Sequence, residues 1–445
     1  MASSLPFSES PGENASSASC GKEKILIAGS GPAGLAARIG AREMGMEAVI
    51  LERLPFSSRK LLASGGGKCN FSNMLSPEEF MEKFGRKGAF MRNALALTFR
   101  EWVTHFLKTR GVETVLTDNF YCFPASGGSS AVLEAFSRSF PPVETSCEVT
   151  EILTESGRVI GVLLKDGRRL KSSQLILAAG GCAWAGLGTS AGLLLAERCG
   201  HTLIKPLPAV APLNVREDWV KTLSGVSLDH AELLLCGKGK RPLWRTQGNL
   251  LFTHEGLSGF AALDMADAAG RMCLESGSAT VFLRLFPGKT KEELAALPEK
   301  YRRNFGRRSL RTLLAEQEGL PRSLAGALSV LAGCEDTLAC RLSGASAEKL
   351  VSLLRDGIPL VVDSVGPMEK AMAMSGGISL KEIDPATMES RIVKGLYFAG
   401  EIMDLAGPCG GYNIQWAISS GRLAGRSAAA SAVGSAPSRK QKKGK

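Results

Sequence analysis

The sequence predicts an α/β protein: a parallel-sheet, dinucleotide-binding domain whose chain is interrupted by inserted material. Three observations predict it. Residues 24–53 form a complete strand, glycine loop, helix and strand; from Pro206 the texture changes to short β-like runs with Pro and Gly turns; and a strand at residues 395–401 returns to the first texture. In the opening unit, KILIAGSGPAG, Ile25 to Ala28 is a short continuous apolar run, as expected of a strand buried on both faces. Gly29 permits the tight turn, Gly31 lets the backbone approach a pyrophosphate, and Gly34 allows close helix–strand packing. The helix runs from Pro32, through Ala33, to about Met44. A proline in its first turn costs nothing, because the missing N–H would be unpaired there. The remaining free N–H groups and the positive end of the helix dipole face the diphosphate. Glu52 ends the second strand, about 20 residues after the glycines, where a carboxylate accepts from ribose hydroxyls; Arg53 follows it.

The rest of the chain extends this plan without an internal repeat. Residues 24–205 read as alternating strands and helices, with a β-rich excursion near 143–177 that includes Val149. A strand at 174–181 ends in Ala179 and Gly180, consistent with chain passing beside a cofactor. Residues 206–289 are inserted β-like material, 290–357 are helical and basic, 358–374 lead back, and 375–430 supply the second part of the first domain. Residues 1–23 and 431–445 read as disordered ends.

Bulk properties narrow the class. The chain has 445 residues and is 44% apolar, enough for two or three domains. Residues 1–23 lack the basic start and apolar stretch of a signal peptide, and no apolar run approaches the ~20 residues needed to span a bilayer. Eleven cysteines are scattered with no CxxC pair, so neither a metal site nor a redox dithiol is expected, and a reduced, cytoplasmic setting is the simplest account. Net charge is +11 and uneven. Basic residues cluster at 238–245 (KGKRPLWR), at 302–311, where five arginines fall, and at 439–445, which carries five more charges. Arginines interleaved with aromatics can hold single-stranded RNA by stacking and phosphate contact, and each cluster alone also reads as a solvated face.

The late strand favours FAD over NAD. LYFAGE places Gly400 and Glu401 where an acid meets a flavin's ribityl or pyrophosphate. Gly410 and Gly411 then open a helix through Tyr412, Asn413 and Ile414, whose N-terminus suits the N1/O2 edge of a reduced isoalloxazine. After the first unit comes RKLLASGGGKCNFSN (residues 59–73). Its glycines, Gly66 and Gly67 among them, let backbone lie against a ring or phosphate. Lys60 and Lys68 add positive charge, Cys69 a proton donor, and Asn70 an amide. No second dinucleotide unit is present, so an NADH or NADPH donor would visit the flavin transiently.

These stretches resemble the BaiN/RdsA-like (YhiN-type, aminoacetone-oxidase-like) NAD(P)/FAD-dependent oxidoreductases. Residues 59–73 are similar to RKLLxSGGGRCNxTN, residues 250–259 to LLFTHxGLSG, and residues 375–383 to GGVSLKEI; the run from Met388 to Glu401 and GYNIQW complete the set across residues 24–426. The resemblance implies a glutathione-reductase-like FAD domain interrupted by an inserted β-barrel, to which 358–374 returns a strand, and a small helical domain. It departs at Gly188–Gly192, a turn one residue shorter than the family's and lacking its acid, at Phe260 in place of a proline, and at Cys409 in place of a threonine. It implies either a ribosomal RNA dihydrouridine synthase, with hydride to uridine C6 and a proton to C5, or a small-molecule enone reductase or amino-ketone oxidase. A flavin-bearing binding protein is the third class. Cys69 is the candidate acid, since an unperturbed thiol, with pKa about 8.5, stays protonated at neutral pH; it also reads as a cysteine packed beside the cofactor. His254 on the inserted domain could meet substrate above the flavin, and a lone histidine in a β-turn also serves structurally.

Overall fold

The structure is a computed structural model that describes residues 24–237 and 241–434. Of the expected disordered ends, 1–23 and 431–445, residues 431–434 instead continue the closing helix; residues 1–23, 435–445 with the 439–445 basic cluster, and 238–240 of the hairpin cluster lie outside the described residues. The central sheet has four parallel strands in the spatial order Leu396–Phe398, Leu175–Leu177, Ile25–Ala28, Ala48–Leu51. All of Ile25–Ala28, Leu175–Leu177 and Leu396–Phe398 is buried, which is why these strands are continuously apolar. A further parallel bridge joins Leu51 to Glu144. Because the first strand lies inside the sheet, a crevice opens where its loop and that of Leu175–Leu177 part.

Helix Pro32–Glu43, ending one residue short of the expected Met44, follows the first strand and packs on the closing helix Tyr412–Gly434. The two approach through small residues. A Cβ on Gly425 would lie 2.0 Å from the Ala37 carbonyl oxygen, one on Gly421 2.1 Å from that of Ala33, and one on Gly40 2.3 Å from that of Arg422. An antiparallel meander, Val149–Glu155, Arg158–Leu164 and Arg169–Lys171, precedes the Leu175–Leu177 strand.

Two long strands, Leu203–Val210 and Ala373–Ile378, pair antiparallel and form a strap out of this domain and back. Beyond the strap is a closed barrel of six strands, ordered Leu213–Val215, Gly256–Ser258, Pro242–Phe252, Ser227–Cys236, Ala279–Arg284, Ile358–Val365. Four helices, Lys291–Phe305, Leu310–Glu318, Arg322–Leu331 and Gly344–Asp356, are spliced between the last two barrel strands. Thr290 and Glu293 form a capping box at the first, and the buried Tyr301 hydroxyl donates to Glu318 at 2.7 Å. The architecture is the α/β domain with an inserted barrel and helical unit that the sequence and its resemblance imply. Among the described residues, no helix is long and apolar enough to cross a membrane.

Candidate functional site

The crevice deepens into a cavity of about 620 Å³. Its floor is built from the opening unit. Gly29 has φ +107°, and a Cβ there would lie 2.4 Å from the Ala178 carbonyl oxygen; one on Gly34 would lie 2.0 Å from the Gly29 oxygen. Gly31 differs: a Cβ there would meet nothing within 4 Å, so the open space beside it belongs to the cavity. The helix that starts at Pro32 has no side-chain cap, leaving its first N–H groups for an anion. Glu52 is fixed from three sides: its Oε2 accepts from the Ser30 N–H (3.0 Å) and hydroxyl (2.6 Å), and its Oε1 from the Leu54 N–H (3.0 Å). Arg53 donates to the Gly188 carbonyl at 3.1 Å, tying the shortened Gly188–Gly192 turn to the same rim.

The middle of the cavity holds an ion pair. Lys60 Nζ lies 2.6 Å from Glu401 Oε2, while Glu401 Oε1 accepts from the Met374 N–H at 3.1 Å. At the far end the closing helix begins behind Gly410 (φ +118°) and Gly411 (φ +85°). A Cβ on Gly411 would lie 2.6 Å from the Ser72 backbone nitrogen. Asn413 both accepts from the Gly407 N–H and donates to its carbonyl, each at 2.8 Å, and so shapes the loop that leads into the helix. With the Asn70 amide oriented so that its nitrogen faces the Ser72 and Cys122 carbonyls, it donates to them at 2.8 and 3.1 Å, which orients its oxygen.

Seventeen expected cofactor residues line the cavity: Gly29, Gly31, Pro32, Ala33, Glu52 and Arg53 at one end; Lys60, Asn70, Val149, Ala179, Gly180, Gly400 and Glu401 along it; and Gly410, Gly411, Asn413 and Ile414 at the other. Gly34, Gly66, Gly67 and Tyr412 are not on its wall. Gly34 works behind it through backbone packing, and the buried Tyr412 ring packs 4.9 Å from Phe80. Cys69 is fully buried, off the wall, and burial pushes its thiol up to about 12. His254 is exposed and does not line the cavity. The three residues expected to carry chemistry are therefore not gathered at one point.

The structure brings others there instead. The far end has an apolar slot walled by Val210, Phe260, Met372, Ala373, Pro408 and Cys409. Behind it Asp264, five residues after the LSG motif, accepts from the Cys409 N–H at 2.6 Å. Burial pushes the Asp264 carboxyl up to about 6, against the opposing pull of Cys409 and Lys83. Burial and Asp264 together hold the Cys409 thiol well above its ordinary value. Tyr121 lies edgeward of this pair, 5.8 Å from the Phe260 ring, with its hydroxyl also raised by burial. Cys409 was visible as a departure from the family pattern, whereas nothing local marks Asp264, 145 residues away from it in sequence.

The wall fits FAD. Open space at Gly31 beside an uncapped helix suits the diphosphate, Glu52 suits the adenosine ribose, and the N-terminus of the glycine-flanked second helix suits the N1/O2 edge where a reduced flavin carries negative charge. Among the described residues no group of three His, Cys, Asp or Glu side chains is placed to hold a metal ion.

Comparisons with known proteins identify similar chains. A model of the family described as HI0933-like protein Rossmann domain matches residues 23–427. A 3-dehydro-bile acid delta(4,6)-reductase of Clostridium scindens is 30% identical over 423 residues, spanning 91% of this chain and 99% of that one. A ribosomal RNA dihydrouridine synthase of Haemophilus influenzae is 28% identical over 419 residues, spanning 89% and 96%. Among solved structures, a 3-ketosteroid-delta4-(5alpha)-dehydrogenase of Rhodococcus jostii in complex with 4-androstene-3,17-dione aligns with a TM-score of 0.46 at 15% identity, over 92% of this chain and 96% of that one.

Proposed function

We propose that this chain, which belongs to the HI0933-like Rossmann family and is an FAD-dependent oxidoreductase, reduces the C5=C6 bond of a uridine in ribosomal RNA with electrons from NADH or NADPH. When bound, FAD would supply hydride chemistry to the site. The chain's own residues do the rest. Glu52 and the Pro32 helix would hold the adenosine and diphosphate, Lys60 and Glu401 the middle, and the N-terminus of the closing helix the flavin's pyrimidine edge. The apolar wall that includes Phe260 and Pro408 would shield a bound ring from water. C5, next to the C4 carbonyl, then needs a proton from the protein.

The observation that carries RNA over other conjugated substrates is the barrel hairpin. Leu243 is 56% and Trp244 48% exposed, beside Arg241, so a large aromatic and a cation face solvent together. That combination stacks on unpaired bases and meets phosphate. The 302–311 cluster weighs less, because Arg302 and Arg303 pair with Glu299, and Arg308 with Glu316. Two relatives bear the rRNA dihydrouridine synthase name.

A second reading, reduction of a small enone, draws on the apolar slot and on the bile-acid reductase relative. One experiment separates the two. The purified yellow protein is reduced anaerobically with NADH or NADPH and mixed with an rRNA fragment or with a cyclic enone. Reoxidation by the RNA, with dihydrouridine found in its nucleoside digest, is the expected result. Reoxidation by the enone alone transfers the function to the second reading.

A further inference from the structure

We propose that Cys409 is the catalytic proton donor of this site and that Asp264 is a positioning residue behind it that restores its proton. The proposal rests on the reading above, that a carbon–carbon double bond conjugated to a carbonyl is reduced here. Such a reduction adds hydride at the β carbon and moves the C=C electron pair onto the carbonyl as an enolate. It is completed when the enolate's α carbon, C5 in a uridine, takes a proton.

Of the titratable groups expected or found at this end, Cys409 alone belongs to the slot wall and has a second acid directly behind it. Cys69 is buried off the wall and His254 faces solvent. In the step, the Cys409 S–H bond breaks as the C–H bond forms at the α carbon, leaving a thiolate. The Asp264 O–H bond then breaks to reprotonate the sulfur, and the carboxylate recovers its proton from water. No oxidant or reductant beyond the hydride is needed.

The electrostatics set the order. Asp264 is faced by Cys409, by Lys83, and by the raised phenols of Tyr121 and Tyr412. While Asp264 is ionised it opposes a second negative charge on the sulfur. Protonating Asp264 relieves that repulsion, so the protonated carboxyl makes the thiol a usable acid. The geometry also makes the pair sensitive to the cofactor domain's fit with the insert, because Asp264 belongs to the insert and Cys409 to the loop before the closing helix.

The test uses the holoenzyme and two readouts. In the first, the rate at which iodoacetamide labels Cys409 is followed against pH by peptide mass spectrometry. Wild type should resist labelling until well above pH 9. Asp264→Asn, which keeps an acceptor for the Cys409 N–H, should move the profile down by at least one unit, about tenfold faster labelling at pH 8. Coincident profiles overturn the proposal. In the second, stopped-flow reoxidation of reduced enzyme by rRNA fragment or enone should fall about 10²- to 10⁴-fold in Cys409→Ala, a loss at least tenfold larger than any on reduction by NAD(P)H. Cys409→Ser, which retains a transferable proton and the side chain's shape, should recover part of it. It also stands in for the alanine variant should that variant not hold FAD. Wild-type reoxidation rates in both variants overturn the proposal. If neither substrate reoxidises wild type, the functional reading falls, and the labelling profiles still decide whether Asp264 governs Cys409.

Discussion

Gly31 and Gly34 are three residues apart and answer to different constraints. Alanine at 34 would press its Cβ into the Gly29 carbonyl and push the helix off the strand; the expected cost is about 1–3 kcal/mol of stability together with loss of bound flavin. Alanine at 31 meets no protein atom, so the fold should persist and only FAD affinity should drop. Thermal melts and flavin-fluorescence titrations of the two variants check this, and equal melting losses would refute it. Asp264 supplies a second prediction. Its folded pKa, about 6, is above the ordinary 3.8, so the native state binds the proton more tightly than the unfolded chain. Its contribution is full below about pH 4 and is lost as pH rises through 6. Asp264→Asn should therefore gain stability relative to wild type between pH 4 and 8 in paired denaturant titrations. At this scale, the cradle was legible because Gly29, Gly31, Glu52 and Glu401 each follow from a local strand–turn pattern. The acid pair was not, since it exists only when residues 264 and 409 meet.

Between the opening and closing helices the packing is backbone against backbone. A mid-helix Gly→Ala exchange ordinarily favours a helix by up to about 1 kcal/mol. At Gly425 the new methyl would lie 2.0 Å from the Ala37 oxygen, so Gly425→Ala should instead destabilise by about 1–3 kcal/mol, read as a lowered denaturation midpoint. A gain in stability would mean that the helices can part without cost. The Arg422 guanidinium, paired with Glu43 at 3.0 Å and donating to the Leu97 carbonyl at 2.8 Å, opposes such parting. The central strands Ile25–Ala28, Leu175–Leu177 and Leu396–Phe398 were legible because each is one apolar run, and the opening and closing helices because each begins behind glycines. Barrel closure was legible only through the family resemblance: Leu213 pairs with Val365 and Val215 with Val362 across the whole insert, and short alternating strands do not by themselves encode distant partners.

For the whole molecule, the proposed RNA substrate together with the basic balance predicts salt-sensitive binding. A single-stranded rRNA fragment held through about three phosphates should show a log–log affinity slope near −2 with salt. Trp244→Ala should weaken binding by about 1–3 kcal/mol if the ring stacks on one base, measurable by fluorescence anisotropy. An unchanged affinity would remove the hairpin from the interface and with it the main argument for RNA.

The strap has a larger consequence. Leu203–Val210 and Ala373–Ile378 carry the chain out and back side by side, so barrel and helices hang from the cofactor domain as a cassette with adjoining ends. Val210, Met372 and Ala373 at its neck are also slot wall. One lineage can thus exchange or reshape what it hangs there, and so change which molecule is presented to the flavin, while Gly31, Glu52 and the closing helix remain as they are. The doorway that admits the cassette is the same one through which its identity is felt.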